Sequence, residues 1–242
     1  MDGDITLQQR YEAVERRIET ACRAAGRPPD QVSLLAVSKT FPAGRVLDLA
    51  GCGQRRFGEN YLQEALTKIS ECATQRPDWR LEWHFIGPIQ SNKTRPIAEH
   101  FDWVHSVDRE RVARRLAEQR PPHLAPLQVC IQVNIGAEDT KSGCDPAQAS
   151  DLAHLVAGLP GLRLRGLMAI PRPETDPAAQ QAQFARVREL FAHLQAEGLA
   201  LDTLSMGMSD DLEAAIAQGA TIVRIGSALF GRRVPGPADS PS

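Results

Sequence analysis

The sequence predicts a single α/β domain folded as a (β/α)8 TIM barrel, preceded by one extra helix. Two observations predict it. Short β-branched or apolar runs alternate strictly with longer helical segments, which implies a parallel sheet. Eight such runs fit within 242 residues, which suits a closed barrel better than an open doubly wound sheet. No Gly-x-Gly-x-x-Gly follows a strand, so a dinucleotide-binding sheet lacks its usual support.

The elements follow in order. A first helix is expected from about Thr6 to Ala25, closed by Gly26 and Pro28. The strand runs are Ser33–Ser38, Arg56–Gly58, Trp83–Gly87, Trp103–Val107, Leu127–Ile135, Leu162–Ile170, Thr203–Met206 and Thr221–Ile225. The second is the weakest on its own pattern. Between them lie helical stretches such as Tyr61–Cys72, Arg109–Gln119, Pro146–Ala157, Pro177–Glu197 and Asp211–Gln218. No linker divides the chain, so residues 1–231 are expected as one domain. A tail over 232–242, rich in Pro, Gly and Ser, is expected to be disordered.

Composition bounds the function. A net charge of −2 argues against a general nucleic-acid or anionic-membrane surface. The amino end lacks the apolar core of a signal peptide, and no run approaches a membrane span. Cys22, Cys52, Cys72, Cys130 and Cys144 are scattered without metal-ligand spacing, and read as reduced thiols of a cytoplasmic protein. The basic residues are lopsided: Lys39, Lys68, Lys93 and Lys141 are the only lysines, and the rest are arginines.

In such barrels chemistry sits where the strands end. The first strand closes Leu34-Leu35-Ala36-Val37-Ser38-Lys39-Thr40. A lysine there lays its stem on apolar surface and turns its amine to the barrel mouth. Partial desolvation favours the neutral amine, which can attack an aldehyde. On this strand alone, a lysine carrying its amine out to solvent is the more ordinary reading.

The last strands change the balance. Gly226-Ser227 closes the eighth strand, where barrels commonly bind phosphate; Gly226 admits close approach, and Ser227 adds a hydroxyl and opens a short helix. An ordinary strand–helix turn is the alternative. In Leu204-Ser205-Met206-Gly207-Met208-Ser209-Asp210-Asp211, Ser205 and Ser209 are further phosphate candidates, unless Ser209 or Asp210 merely caps the next helix. Asp210 and Glu213 would repel a dianion and are expected to point away. Arg224 lies two residues before Gly226 and shares its side of the strand. A guanidinium facing a pyridine nitrogen leaves that nitrogen unprotonated. The alternative is an arginine paired to a barrel carboxylate, Glu59 or Glu82.

Several segments together resemble the pyridoxal phosphate (PLP) homeostasis protein family. They are Ala36-Val37-Ser38-Lys39-Thr40, Gly58-Glu59-Asn60-Tyr61, Trp83-His84-Phe85-Ile86-Gly87-Pro88-Ile89-Gln90-Ser91-Asn92-Lys93, Lys141-Ser142-Gly143, Gly166-Leu167-Met168, Ser205-Met206-Gly207-Met208-Ser209 and Arg224-Ile225-Gly226-Ser227. They fall in order from about Val32 to Gly231. The family's fold resembles the N-terminal barrel of alanine racemase. The resemblance implies Lys39 as the PLP lysine, a phosphate site at Ser205, Ser209, Gly226 and Ser227, and Arg224 opposite the pyridine nitrogen. Asn60 and Met168 are expected as further contacts. His84, Gln90 and Asn92 carry no derivable role, and His84 is as well read as a satisfied core histidine. Lys93, basic and near the mouth, is a candidate to steer PLP.

The function expected is a carrier that buffers PLP as a Schiff base, in vitamin B6 and amino-acid homeostasis, and delivers it to apo-enzymes, as a monomer or weak dimer. The competing reading is a PLP-dependent racemase or decarboxylase. Racemases on this barrel add a second domain and a tyrosine base; here the chain is expected to stop soon after Gly231, and Tyr11 and Tyr61 are its only tyrosines. An open mouth also admits water, which weakens carbanion stabilisation. A Schiff-base aldolase using Lys39 without PLP is a third, weaker reading.

Overall fold

The structure, a computed structural model, describes residues 5–136 and 142–231. Lys141 and the segment from Arg232 onward lie outside the described residues. Eight parallel strands close into a barrel in chain order: β1 (Ser33–Val37), β2 (Arg56–Glu59), β3 (Glu82–Phe85), β4 (Trp103–Val107), β5 (Leu127–Val133), β6 (Leu162–Ala169), β7 (Thr203–Ser205) and β8 (Ile222–Ile225). β8 pairs back onto β1, with Leu35 opposite Arg224. All eight expected strands are present. The weak one, β2, is held by both neighbours, Ala36 lying opposite Phe57 and Arg56 opposite Glu82. Barrel closure therefore supplies what its own sequence lacks.

Helices cover the outside: α1 (Leu7–Ala24), α2 (Ala43–Gly51), α3 (Leu62–Gln75), α4 (Thr94–His100), α5 (Glu110–Gln119), α6 (Ala149–Ala157), α7 (Pro177–Ala196), α8 (Leu212–Ala217) and α9 (Ser227–Phe230). α9 is the short helix expected to open at Ser227, and α2 and α4 are further short helices between strands. α1 begins with a capping box: Gln9 N–H donates to Thr6 Oγ1 at 3.2 Å, and Thr6 N–H donates to Gln9 Oε1 at 2.9 Å. It buries Val14, Ile18, Ala21 and Cys22 and packs against α8, α9 and α2. The extra helix thus braces the last two barrel units.

Side chains alternate along each strand, so one set points into the barrel and the other to the helices. Leu35, Trp103, Cys130, Met168 and Ile222 form an inner apolar cluster, separate from the large outer core. Above and beside this cluster the inner set turns polar: His84, His105, Ser205 and Arg224 are all buried. The five cysteines are free. Among the described residues, no helix is long and apolar enough to cross a membrane.

Candidate functional site

Lys39 continues the inward set of β1, two positions beyond Val37. It is half-buried, and its amine makes no hydrogen bond or ion pair among the described residues. The backbone around it is fixed. Ser38 N–H donates to Gly58 O at 3.0 Å, and Lys68 Nζ donates to Ser38 O at 2.8 Å. Thr40 N–H donates to Glu64 Oε1 at 2.5 Å. Thr40 is also the one non-glycine residue described with positive φ, at 68°. A threonine in that region is strained and persists only where its surroundings impose it. The amine is thus unengaged, on a rigid mount.

The mount is a buried charge cluster that sequence reading missed. Glu59 is fully buried and Lys68 nearly so. Lys68 Nζ lies 2.5 Å from Glu59 Oε1 and 2.9 Å from Glu64 Oε1, and Ser38 Oγ donates to Glu59 Oε1 at 2.6 Å. Burial pushes the Glu59 carboxyl up, while Lys68 pulls it back down. Glu59 Oε2 has no partner. The only sequence signal was the Glu64–Lys68 spacing, which places the two on one face of α3.

β8 delivers Gly226 to the same corner. A Cβ on Gly226 would meet Val37 O at 3.2 Å, two residues before Lys39. Only a residue without a side chain lies easily against the β1 backbone there. Ser227 follows, exposed, opening α9, where first-turn amides lack intrahelical acceptors. Ser209 is half-buried in the β7–α8 loop. Its carbonyl accepts from Arg17 Nη1 at 2.7 Å, and Arg17 also forks onto Glu213 at 2.6 and 2.7 Å. Asp211 Oδ1 accepts from Met208 N–H at 2.6 Å. Glu213 is thus engaged outside the loop, on α1. Asp211, not Ser209 or Asp210, precedes α8, and no side chain caps that helix.

Arg224 is buried and makes no ion pair with a carboxylate among the described residues. Nη1 donates to Ser205 O at 2.6 Å and to Ser205 Oγ at 2.9 Å, and Nη2 donates to Ala169 O at 2.9 Å. Burial lowers its pKa to about 10. The carboxylates considered as partners are committed elsewhere, Glu59 to Lys68 and Glu82 to His84 and Arg56. Ser205 is fully buried, and its hydroxyl lies 2.7 Å from His105 Nδ1. It therefore sits in the barrel interior, already engaged, whereas Ser209, Gly226 and Ser227 reach the rim. His84 is a satisfied interior histidine, 2.8 Å from both His105 Nε2 and Glu82 Oε1. His105 was not singled out in the sequence, since a lone histidine in an apolar strand gives no signal.

The remaining predicted residues scatter. Asn60 follows β2 half-buried, with Oδ1 buried and unpartnered. Met168 is fully buried in the inner apolar cluster, beneath the rim. Gly87 in the long motif is explained by packing: a Cβ there would lie 2.2 Å from Asn60 O. Gln90, Asn92 and Lys93 are exposed. A cavity of about 710 Å³ opens at the other end of the barrel, reached by Arg56, Glu82, Trp103 and Arg165, away from Lys39.

Comparison with known proteins agrees with this geometry. A family model described as alanine racemase, N-terminal domain, matches residues 10–234. A Pseudomonas aeruginosa protein named pyridoxal phosphate homeostasis protein is 62% identical over 228 residues, covering 94% of this chain and 96% of that one. An Escherichia coli K12 protein of the same name is 52% identical over 220 residues, covering 91% and 94%. The structure of PipY from Synechococcus elongatus with PLP bound matches with a TM-score of 0.81 and 39% identity, covering 93% of this chain and all of that one (100%). Alanine racemase from Corynebacterium glutamicum, 18% identical, shares the fold at a TM-score of 0.65, over 92% of this chain and 62% of that one.

Proposed function

The chain belongs to the alanine racemase N-terminal domain family, within the group of pyridoxal phosphate homeostasis proteins, and from that premise we propose that it binds PLP through Lys39 and carries it. One observation supports this above the others. A lysine amine without a partner among the described residues stands on a rigid mount, at the same corner as Gly226 and Ser227. When bound, PLP supplies an aldehyde that the Lys39 amine takes as a Schiff base, with loss of water.

The residues present fit that group. Gly226 leaves room beside the β1 backbone that a Cβ would fill. Ser209 and Ser227 offer hydroxyls at the rim for the phosphate. Asn60 Oδ1 is a buried acceptor still lacking a donor. Met168 supplies apolar surface beneath. Ser205 contributes through Arg224 rather than by direct contact.

A carrier is favoured over an enzyme by Arg224. Its guanidinium keeps its protons at neutral pH even with a pKa lowered to about 10. Placed at the pyridine nitrogen of bound PLP, such a guanidinium would donate a hydrogen bond without protonating the ring, which would leave the ring a weak electron sink. Buffering of free PLP and delivery to apo-enzymes belong to this reading. Lys93, exposed on the same side, is a candidate to guide PLP during transfer; loss of transfer with unchanged folding in Lys93→Ala is the expected result.

The test is to load the full chain with PLP, record visible absorption, reduce with borohydride and map the modified peptide. We expect one modified lysine, Lys39, and no band in Lys39→Ala. Modification elsewhere overturns the site, and robust steady-state turnover of an amino acid overturns the carrier.

A further inference from the structure

Arg224 is joined to the opposite end of the barrel by a continuous file of side chains. Arg224 Nη1 lies 2.9 Å from Ser205 Oγ, Ser205 Oγ 2.7 Å from His105 Nδ1, His105 Nε2 2.8 Å from His84 Nδ1, and His84 Nε2 2.8 Å from Glu82 Oε1. The members come from β8, β7, β4, β3 and again β3. His84, His105 and Ser205 are fully buried; Glu82, 38% exposed at its side chain, opens onto the cavity at the far end, which His84 also lines. Trp103 stacks on His84, centroids 5.3 Å apart and planes within 10°, closing that side of the file.

The two ends dictate every hydrogen between them. A carboxylate only accepts, so His84 must donate from Nε2. A neutral imidazole has one N–H, so His84 Nδ1 accepts, and His105 donates from Nε2. His105 Nδ1 then accepts from the Ser205 hydroxyl, whose lone pairs accept from Arg224 Nη1. All four bonds point the same way, from the guanidinium to Glu82. Burial holds both histidines neutral, His105 most strongly, and the bond from His84 holds Glu82 in its charged form. The reverse order would need a protonated Glu82.

We infer that Glu82, His84, His105 and Ser205 are positioning residues, a polarised relay that holds Arg224 as a directed cationic donor toward the pyridine nitrogen of PLP. The relay rests on the reading of Arg224 given above. It adds to what lets a buried guanidinium be tolerated with no carboxylate in ion-pair contact, the nearest charge help coming from Asp211 at longer range. Aligned hydrogen bonds polarise one another, so the negative end at Glu82 reaches Arg224 through three neutral side chains. The guanidinium is also fixed in rotation by the Nη1 bonds to Ser205 and the Nη2 bond to Ala169 O, which leave Nε–H and a second Nη2–H to donate.

The experiment has two arms. In the PLP-free full-length protein labelled with 15N-histidine, the His84 and His105 rings are expected at pH 7 with protonated Nε2 and bare Nδ1. Glu82→Gln, whose amide can both donate and accept, is expected to mix tautomers at both rings. A protonated Nδ1 on either ring of the unaltered protein overturns the relay, whatever the protein binds. In the loaded protein, Ser205→Ala and His105→Phe should shift the visible band and raise the PLP Kd about tenfold, the loss of one hydrogen bond to a charged group. Lys39 should still take the borohydride label. Ser205→Ala removes a single oxygen and keeps the packing, so it serves where His105→Phe fails to fold. Expected tautomers with an unmoved band and Kd overturn the positioning role. Absence of any Lys39 adduct sinks the PLP reading while the tautomers still decide the relay.

Discussion

Replacing Lys68 by methionine would remove the only cation from the cluster beneath Lys39 while keeping the length of its stem. Glu59 is fully buried and would be left with Ser38 Oγ as its one hydrogen-bond donor, at 2.6 Å. Truncating one partner of a buried pair costs about 3–5 kcal/mol, because the other charge stays buried. Glu64 is partly exposed and adds little to that figure. In a chain of this size the loss corresponds to a Tm lowered by about 6–20 °C.

The cost should depend on pH with a definite sign. The folded-state pKa of Glu59 is already raised by burial, so the native state binds the extra proton and stability falls as pH rises through that pKa. Lys68 is the main force opposing the rise. Without it the pKa climbs further, so the destabilisation should be largest above the folded pKa and shrink as pH approaches the ordinary carboxylate value. Urea unfolding of PLP-free Lys68→Met against the unaltered protein, at pH 8 and pH 5, reads this directly. The double variant Glu59→Gln/Lys68→Met should recover much of the loss, since it leaves no buried charge. A cost below about 1 kcal/mol at pH 8, or one that grows toward pH 5, would refute the reasoning.

Two further outcomes follow from the rim. Gly226→Ala places a methyl 3.2 Å from Val37 O in an otherwise accessible conformation, φ −118°, so PLP affinity should fall tenfold or more, on the order of 1.4 kcal/mol, with a small change in stability; equilibrium titration of the visible band checks it. Arg17→Ala releases the Ser209 carbonyl and the exposed Glu213 pair, which should cost no more than about 1 kcal/mol of stability yet weaken PLP binding severalfold, read by comparing Tm with Kd.

Much of the fold was legible because the barrel's rhythm is local. Each strand is a short apolar run and each long helix carries its own period. β2 was faint because Phe57 and Gly58 are its only apolar core, and its place depends on β1 and β3. Lys39 and Gly226-Ser227 were legible as polar breaks at the ends of buried runs. Their proximity was not, since it arises when β8 closes onto β1. His105 and Lys68 were illegible for the same reason. A histidine inside Trp103–Val107 is ordinary until barrel closure brings β4 level with β7, and Lys68 looks like one half of a surface pair until α3 folds onto β2.

The supports of the two ends of the site differ in kind, and that difference bears on what a carrier must do. Lys39 is mounted on a mostly buried cluster, and Arg224 on a file of hydrogen bonds buried along its length and open only at Glu82. The Ser209 carbonyl is held by Arg17, whose pair with Glu213 is 39% and 54% exposed at its side chains and is screened by salt and water. The backbone that carries Lys39 and the Arg224 guanidinium are therefore preset, while the proposed phosphate end is the softer one. A site built for turnover needs all its groups fixed around the reacting atoms. A carrier of the kind proposed, which takes up and surrenders the same molecule unchanged, needs a firm grip at one end and a weaker clasp at the other, and the graded burial from Lys68 to Arg17 fits that proposal.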